Sequence, residues 1–218
     1  MTESNFIPDF SGDDFANDKE IQKIRAASKA YEQMIEDSFA VIRKELSMEP
    51  SSHINFKDFH MFKSLGATIT HSLKSVDNSK RVRVSLARYH SSFPVPRNDN
   101  SGDDQYLFGH ISFTTQYPRT YIHKETIREK IEDLFLKREL DFSLSKKFSG
   151  KFQVLTENKN RLQTLFQVKN LDVLTDFPEM ELELFNNAAL FRCSRKPVSV
   201  EEATMFCNLA NVLIKLLH

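Results

Sequence analysis

Between Asn17 and Pro50 the chain has no glycine and no proline, and apolar residues recur at Ile21, Ile24, Tyr31, Ile35, Ile42 and Leu46. Spacings of three, four and seven place them on one face of an α-helix, a stripe widened by Ala27, Met34 and Val41. Asn17 followed by Glu20 has capping-box spacing: one side chain accepts from an early backbone N–H and the other reaches back to the cap. A helix from near Asn17 to Leu46 is about 42 Å long at about 1.5 Å per residue. A compact chain of this size has a radius of gyration of about 17 Å. Such a helix must either span the body of the protein or project from it.

Downstream the period changes. Leu65, Ala67, Ile69, His71 and Leu73 alternate with Thr68, Thr70, Ser72 and Lys74, and Val82, Val84 and Leu86 alternate with Arg81, Arg83 and Ser85. Two period-two runs around Asp77, Asn78 and Ser79 predict a β-hairpin with one apolar and one polar face. Residues 91–105, with two prolines and an NDNSGDD run, read as a surface loop, followed by a strand from Tyr106 to Thr115 closed by Tyr117 and Pro118. Glu125 to Lys137 returns to helical spacing. Phe152 and Val154 mark a short strand, and Leu162, Leu165 and Phe166 a helix from about Lys159 that ends before Pro178. Met180, Leu182 and Leu184 alternate with Glu181 and Glu183, and Asn186 and Asn187 tolerate the positive φ of a tight turn, so a second hairpin is expected with Ala188 to Ser194 as its return strand. Ser199 and Glu202 then cap a terminal helix whose apolar face is Ala203, Phe206, Cys207, Ala210, Leu213, Ile214 and Leu217.

These elements predict an α+β protein: antiparallel hairpin-based sheet or sheets packed against three to four helices. Residues 1–16 read as a mobile acidic tail, 17–49 as the long N-terminal helix and 50–218 as a single α+β domain. Thirty basic and thirty acidic side chains cancel, so no global field favours nucleic acid or an anionic membrane. No stretch approaches the ~20 apolar residues of a bilayer span. The N-terminus has neither a basic nor an apolar signal region, which makes the cytoplasm the expected compartment. Cys193 and Cys207 sit among apolar neighbours and read as buried thiols.

Several kinds of chemistry can be tested against spacing. The five glycines are too far apart for a GxGxxG or P-loop phosphate cradle, and no GxSxG or SxxK nucleophile occurs. No cofactor is expected. His71, His90 and His110 fall on strands of the first sheet and are the best candidates for a ligand pocket, but no HxH, HxxxH or HExxH spacing supports a metal. Arg81, Arg83 and Arg88, with Lys74, Lys80 and Tyr89, form the basic edge of the first hairpin and would be the anion or RNA surface. A basic strand edge is also the ordinary solvated way to discourage strand pairing.

The first helix carries the most credible interaction feature. Ile21, Ile24, Ser28, Tyr31, Ile35, Ser38 and Ile42 follow the a and d spacing of a coiled coil, so a second copy or a partner helix could pack there. The width of the stripe and its two serines fit better a helix lying on its own domain.

Residues 148–217, with "KFQVLTEN", a helix, "MELELFNNAALFRC" and a capped terminal helix, resemble in layout the C-terminal part of an uncharacterised bacterial family, a domain of unknown function. The resemblance covers about a third of the chain and contains no catalytic motif. Relatives of that kind carry hydrophobic spans before this region, whereas this chain has the charged helix Lys19 to Leu46. It implies a fold and no activity. With every common catalytic signature missing and amphipathic surface abundant, the expected function is a non-enzymatic protein-interaction or regulatory module, as a homo-oligomer or with a protein partner. The rival expectations are a histidine-containing ligand pocket and a nucleic-acid face on Arg81–Arg88.

Overall fold

The structure, a computed structural model, describes residues 19–63, 67–77, 81–89, 105–124, 142 and 145–217. The predicted tail, residues 91–104 of the predicted 91–105 loop and the Glu125–Lys137 helix lie outside the described residues, while Gln105 is already in a strand.

Helix α1 (Lys19–Leu46) has two halves with different surroundings. Ile35, Phe39, Ile42 and Leu46 are buried and pack with the C-terminal helix α5 (Val200–Leu217). Ser38 is also fully buried, and its hydroxyl donates to the Met34 carbonyl one turn back (2.7 Å), which removes the cost of a serine in that interface. Residues Gln22 to Ala30 are exposed throughout, with Ile24 at 64%. The helix both lies on the body and extends beyond it. Ser47, at φ 52°, ends α1 in the left-handed region and turns the chain into β1 (Met48–Pro50). Pro50 is tolerated there because β1 pairs only with β2 and forms the sheet edge.

The α+β expectation holds, with one antiparallel sheet of six strands: β1, β2 (Ala67–Ser75), β3 (Val82–Tyr89), β4 (Gln105–Lys124), β5 (Phe152–Thr156) and β6 (Glu181–Arg192). β2 and β3 form the predicted hairpin, but its alternation is broken. Ile69 pairs with Ala87 while His71 pairs with Leu86, so a bulge at Thr70 swaps the faces. Ala67 and Ile69 join one apolar cluster and Leu73 joins the other.

Two further expectations are corrected. The third strand does not close at Pro118: β4 runs for 20 residues, with register shifts between Ser112 and Tyr117 and between Tyr117 and Thr120. The second hairpin is a single strand. β6 pairs along β4 from Leu182 opposite Ile122 to Phe191 opposite Gly109, and Asn186, at φ 52°, makes a bulge instead of a turn. The asparagine is used for its tolerance of positive φ, but the chain continues in the same direction because β4 offers an edge long enough to pair both halves.

That double irregularity bends the β4–β6 ribbon. β3 pairs with residues 105–111 of β4, β5 with 120–124, and β6 lies along the opposite edge of both halves. A straight strand would hold Glu181 and Arg192 about 36 Å apart at about 3.3 Å per residue, yet their side chains meet at 2.8 Å. The ribbon is curled, and its concave face holds Phe108, Tyr121, Leu155 and Leu190 in one cluster. The strap of residues 51–63, which contains the short helix α2 (His60–Lys63), adds Phe56, Phe59 and Met61 to that cluster. The other face carries the larger core with α1, α5 and α4 (Lys159–Phe166), the last capped by Asn158 accepting from the Arg161 N–H at 3.0 Å. A four-residue helix α3 (Lys146–Ser149) and a 3₁₀ turn (Leu171–Asp176) complete this side.

The terminal helix buries the expected face apart from Ile214, which is half-buried, and adds Leu209 to it. Its capping box is half formed: the Glu202 N–H donates to Ser199 Oγ (3.1 Å), whereas the Glu202 carboxylate accepts from Ser194 Oγ (2.9 Å).

Candidate functional site

The predicted histidines are not brought together. His71 is exposed on the α1 side of the sheet, its ring 5.7 Å from that of Phe39. His110 is buried on the concave side, stacked on Phe56 at 5.9 Å and edge-on to Phe59 at 5.8 Å. His90 lies outside the described residues. Burial, with the neighbouring Arg83 guanidinium, pulls His110 down to about 4, so the ring is neutral near pH 7. Its Nδ1 has no hydrogen-bond partner. Among the described residues no group of three or more His, Cys, Asp or Glu is placed to hold a metal.

The arginines are divided in the same way. Arg83 pairs across the ladder with His110 and so shares the concave face, whereas Arg88 pairs with Gln105 and faces α1. Arg81 stands at the strand entrance at φ 45°. Lys74 is engaged with Glu49 at 3.1 Å. The basic edge therefore does not form one surface.

Sequence reasoning missed a buried charged network on the concave face. Glu181 and Glu183 are fully buried, although their alternation with leucines reads as a polar outer face. Glu181 accepts from Arg192 Nη2 at 2.8 Å on both oxygens, from Arg195 Nε and from the Tyr121 hydroxyl at 2.6 Å. Burial alone would raise this carboxyl; Arg192, Arg195 and Tyr121 outweigh it and hold it below the usual carboxylate range. Glu183 accepts from the His60 N–H (3.1 Å), the Met61 N–H (2.8 Å) and Arg119 Nη1 (2.7 Å). Here burial prevails and the carboxyl is raised. Arg119 also donates to the Asp58 carbonyl (2.9 Å) and lies 3.6 Å over the Phe185 ring. All four carboxylate oxygens are engaged within the chain, so the network fastens the strap and the ribbon ends. No local signal reveals it. Glu183 and Arg119 are 64 residues apart, and Arg192 shares a face with Glu181 because the Asn186 bulge reverses the alternation.

Both cysteines are unpaired and buried, and burial pushes each thiol up to about 12, which leaves neither nucleophilic.

The exposed turns of α1 remain. Ser28, Tyr31, Glu32, Ile35 and Glu36 form one wall of a cleft of about 550 Å³, and His71, Arg88 and Gln105 contribute to the other. Of the predicted interface residues, Ile42 and Ile35 are spent on the protein's own core, Tyr31 packs at its margin, Ile21 is half-buried and Ile24 is exposed. The apolar row thus continues past the point where the described residues pack on it. Among the described residues, no helix is long and apolar enough to cross a membrane. No protein-family model matches the chain, and neither a curated protein nor a solved structure matches it.

Proposed function

We propose that this chain is a non-enzymatic protein-interaction module that works from the N-terminal half of α1. The observation that carries this reading is the change along one apolar row: Ile42 is fully buried and Ile35 nearly so, while Ile24, on the same row, is 64% exposed. An exposed isoleucine on a helix held rigid at its other end is a preorganised contact, because little conformational freedom is left to lose on binding. The satisfied state of the buried carboxylates supports the same reading over an enzymatic one. Two buried, unpaired thiols suit a reducing compartment such as the cytoplasm.

The test is a photo-crosslinking amino acid at position 24 in expressing cells, with the same residue at the exposed Val168 as control. A discrete adduct from position 24 that is missing from position 168 is the expected result. No adduct above the control would sink the proposal.

A further inference from the structure

We infer that the partner of α1 is a second copy of this chain, paired antiparallel through residues 22–38; this deepens the interaction reading above and rests on it. The argument starts from charge order. Gln22 to Ala30 contains Lys23, Arg25 and Lys29 and no acidic residue, whereas Tyr31 to Ser38 contains Glu32, Glu36 and Asp37 and no basic residue. Four of these, Arg25, Lys29, Glu32 and Glu36, are spaced four, three and four apart, so they form one row along the helix. All four are exposed. The row lies beside the apolar row Ile24, Ser28, Tyr31 and Ile35, which has the same spacing.

Within a single helix this order is poor. Arg25 with Lys29 and Glu32 with Glu36 are like charges four residues apart, which costs helix stability; within the row only Lys29 with Glu32 is favourable, and Glu36 also meets Arg43 at 3.4 Å in an exposed pair that is worth little. In an antiparallel pair with its two-fold axis between Ala30 and Tyr31, Arg25 meets the partner's Glu36 and Lys29 meets the partner's Glu32, each twice. The row is self-complementary, as an isologous interface demands. Beside it, Ile24 of each copy comes over the turn of the other around residue 37; Ile35 is buried in its own core and adds nothing to the contact. Glu32 and Glu36 open into the cleft bounded by His71, Arg88 and Gln105, so space for the partner's turn already exists. The Arg88 guanidinium of that far wall opposes the partner's Arg25 and Lys29, which makes the acidic wall the side on which the partner sits. A parallel pair gains nothing from this order, since the row would face the partner's Ala27 and Met34 flank.

Sedimentation of the full chain over a wide concentration range provides the test. The unmodified chain should dimerise. The half reversal Arg25→Glu with Lys29→Glu, which makes the row wholly acidic, should weaken the dimer by roughly tenfold or more. The full reversal, which adds Glu32→Lys and Glu36→Arg, should restore it, because the order is inverted but still self-complementary. All four substitutions exchange good helix formers, and circular dichroism confirms that α1 persists. A dimer indifferent to the half reversal would overturn the inference, as would an unmodified chain that stays monomeric. If a monomer nevertheless gives a discrete adduct of another mass from position 24, self-pairing fails and the interaction reading stands. If it gives no adduct, both fail.

Discussion

Glu181 and Arg192 mark the two ends of β6, eleven residues apart, and their side chains meet at 2.8 Å inside the curl of the sheet. The pair closes the ribbon on itself. Removing one partner leaves a buried charge short of its counter-ion, which typically costs about 3–5 kcal/mol. Arg192→Met should sit at the lower end, since Arg195 and Tyr121 still reach Glu181. Urea unfolding should show the double replacement Glu181→Leu with Arg192→Met costing less than the sum of the single changes. Because the folded carboxyl is held below its ordinary value, this contribution is complete at neutral pH and is lost as pH falls through the folded value.

His110 gives a second acid-sensitive term with its own window. Its folded value lies near 4 against 6.5 when unfolded, so between those values the unfolded chain binds a proton that the folded chain refuses. Stability should fall as pH drops through this range, by roughly 3 kcal/mol in all. His110→Phe, which keeps the aromatic packing on Phe56 and Phe59, should remove this part of the slope in urea titrations at pH 7, 6, 5 and 4 (these pH values span roughly the titration window).

Gly109 is needed for packing. A β-carbon there would lie 2.1 Å from the Phe191 ring, which is itself buried and stacked on Phe206 at 5.1 Å. Gly109→Ala should destabilise by about 3 kcal/mol, the upper part of the overpacking range. Phe191→Leu in the same chain should recover part of that loss in thermal melts, because it empties the space the methyl needs.

The two halves of α1 should respond differently to truncation. Ile42→Ala removes a fully buried side chain and should cost about 2–5 kcal/mol. Ile24→Ala should leave the unfolding free energy of the dilute chain within about 0.5 kcal/mol, as surface changes do. Equal losses at the two sites would show that residues 22–30 pack on the domain.

Cys193 and Cys207 should resist a thiol reagent at pH 8 in the folded state and both react after denaturation, since burial holds each thiol near 12. Rapid labelling of either one under native conditions would mean that the core around α5 opens readily.

Much of the secondary structure was legible because it rests on near-neighbour periodicity. The long helix, the β2–β3 hairpin, the short β5 strand, α4 and the capped α5 all follow from apolar spacing and caps within a few residues of one another. The errors have a common origin. Thr70, Asn186 and residues 113–117 interrupt alternation, and each interruption changes which side of the sheet the following residues face. A one-residue shift separated His71 from Ile69 and turned Arg192 toward Glu181.

What the sequence determined by itself is therefore local: which segments are helix or strand, which helix face is apolar, and the order of charges along α1. The tertiary structure alone decided that Glu181 and Glu183 are buried, that His71 and His110 are on opposite faces, and that α1 is covered from Ile35 onward but not at Ile24. The reason is that burial and facing depend on the sum of every bulge and on partners tens of residues away, whereas helix and strand periodicity is set by the backbone within a few turns.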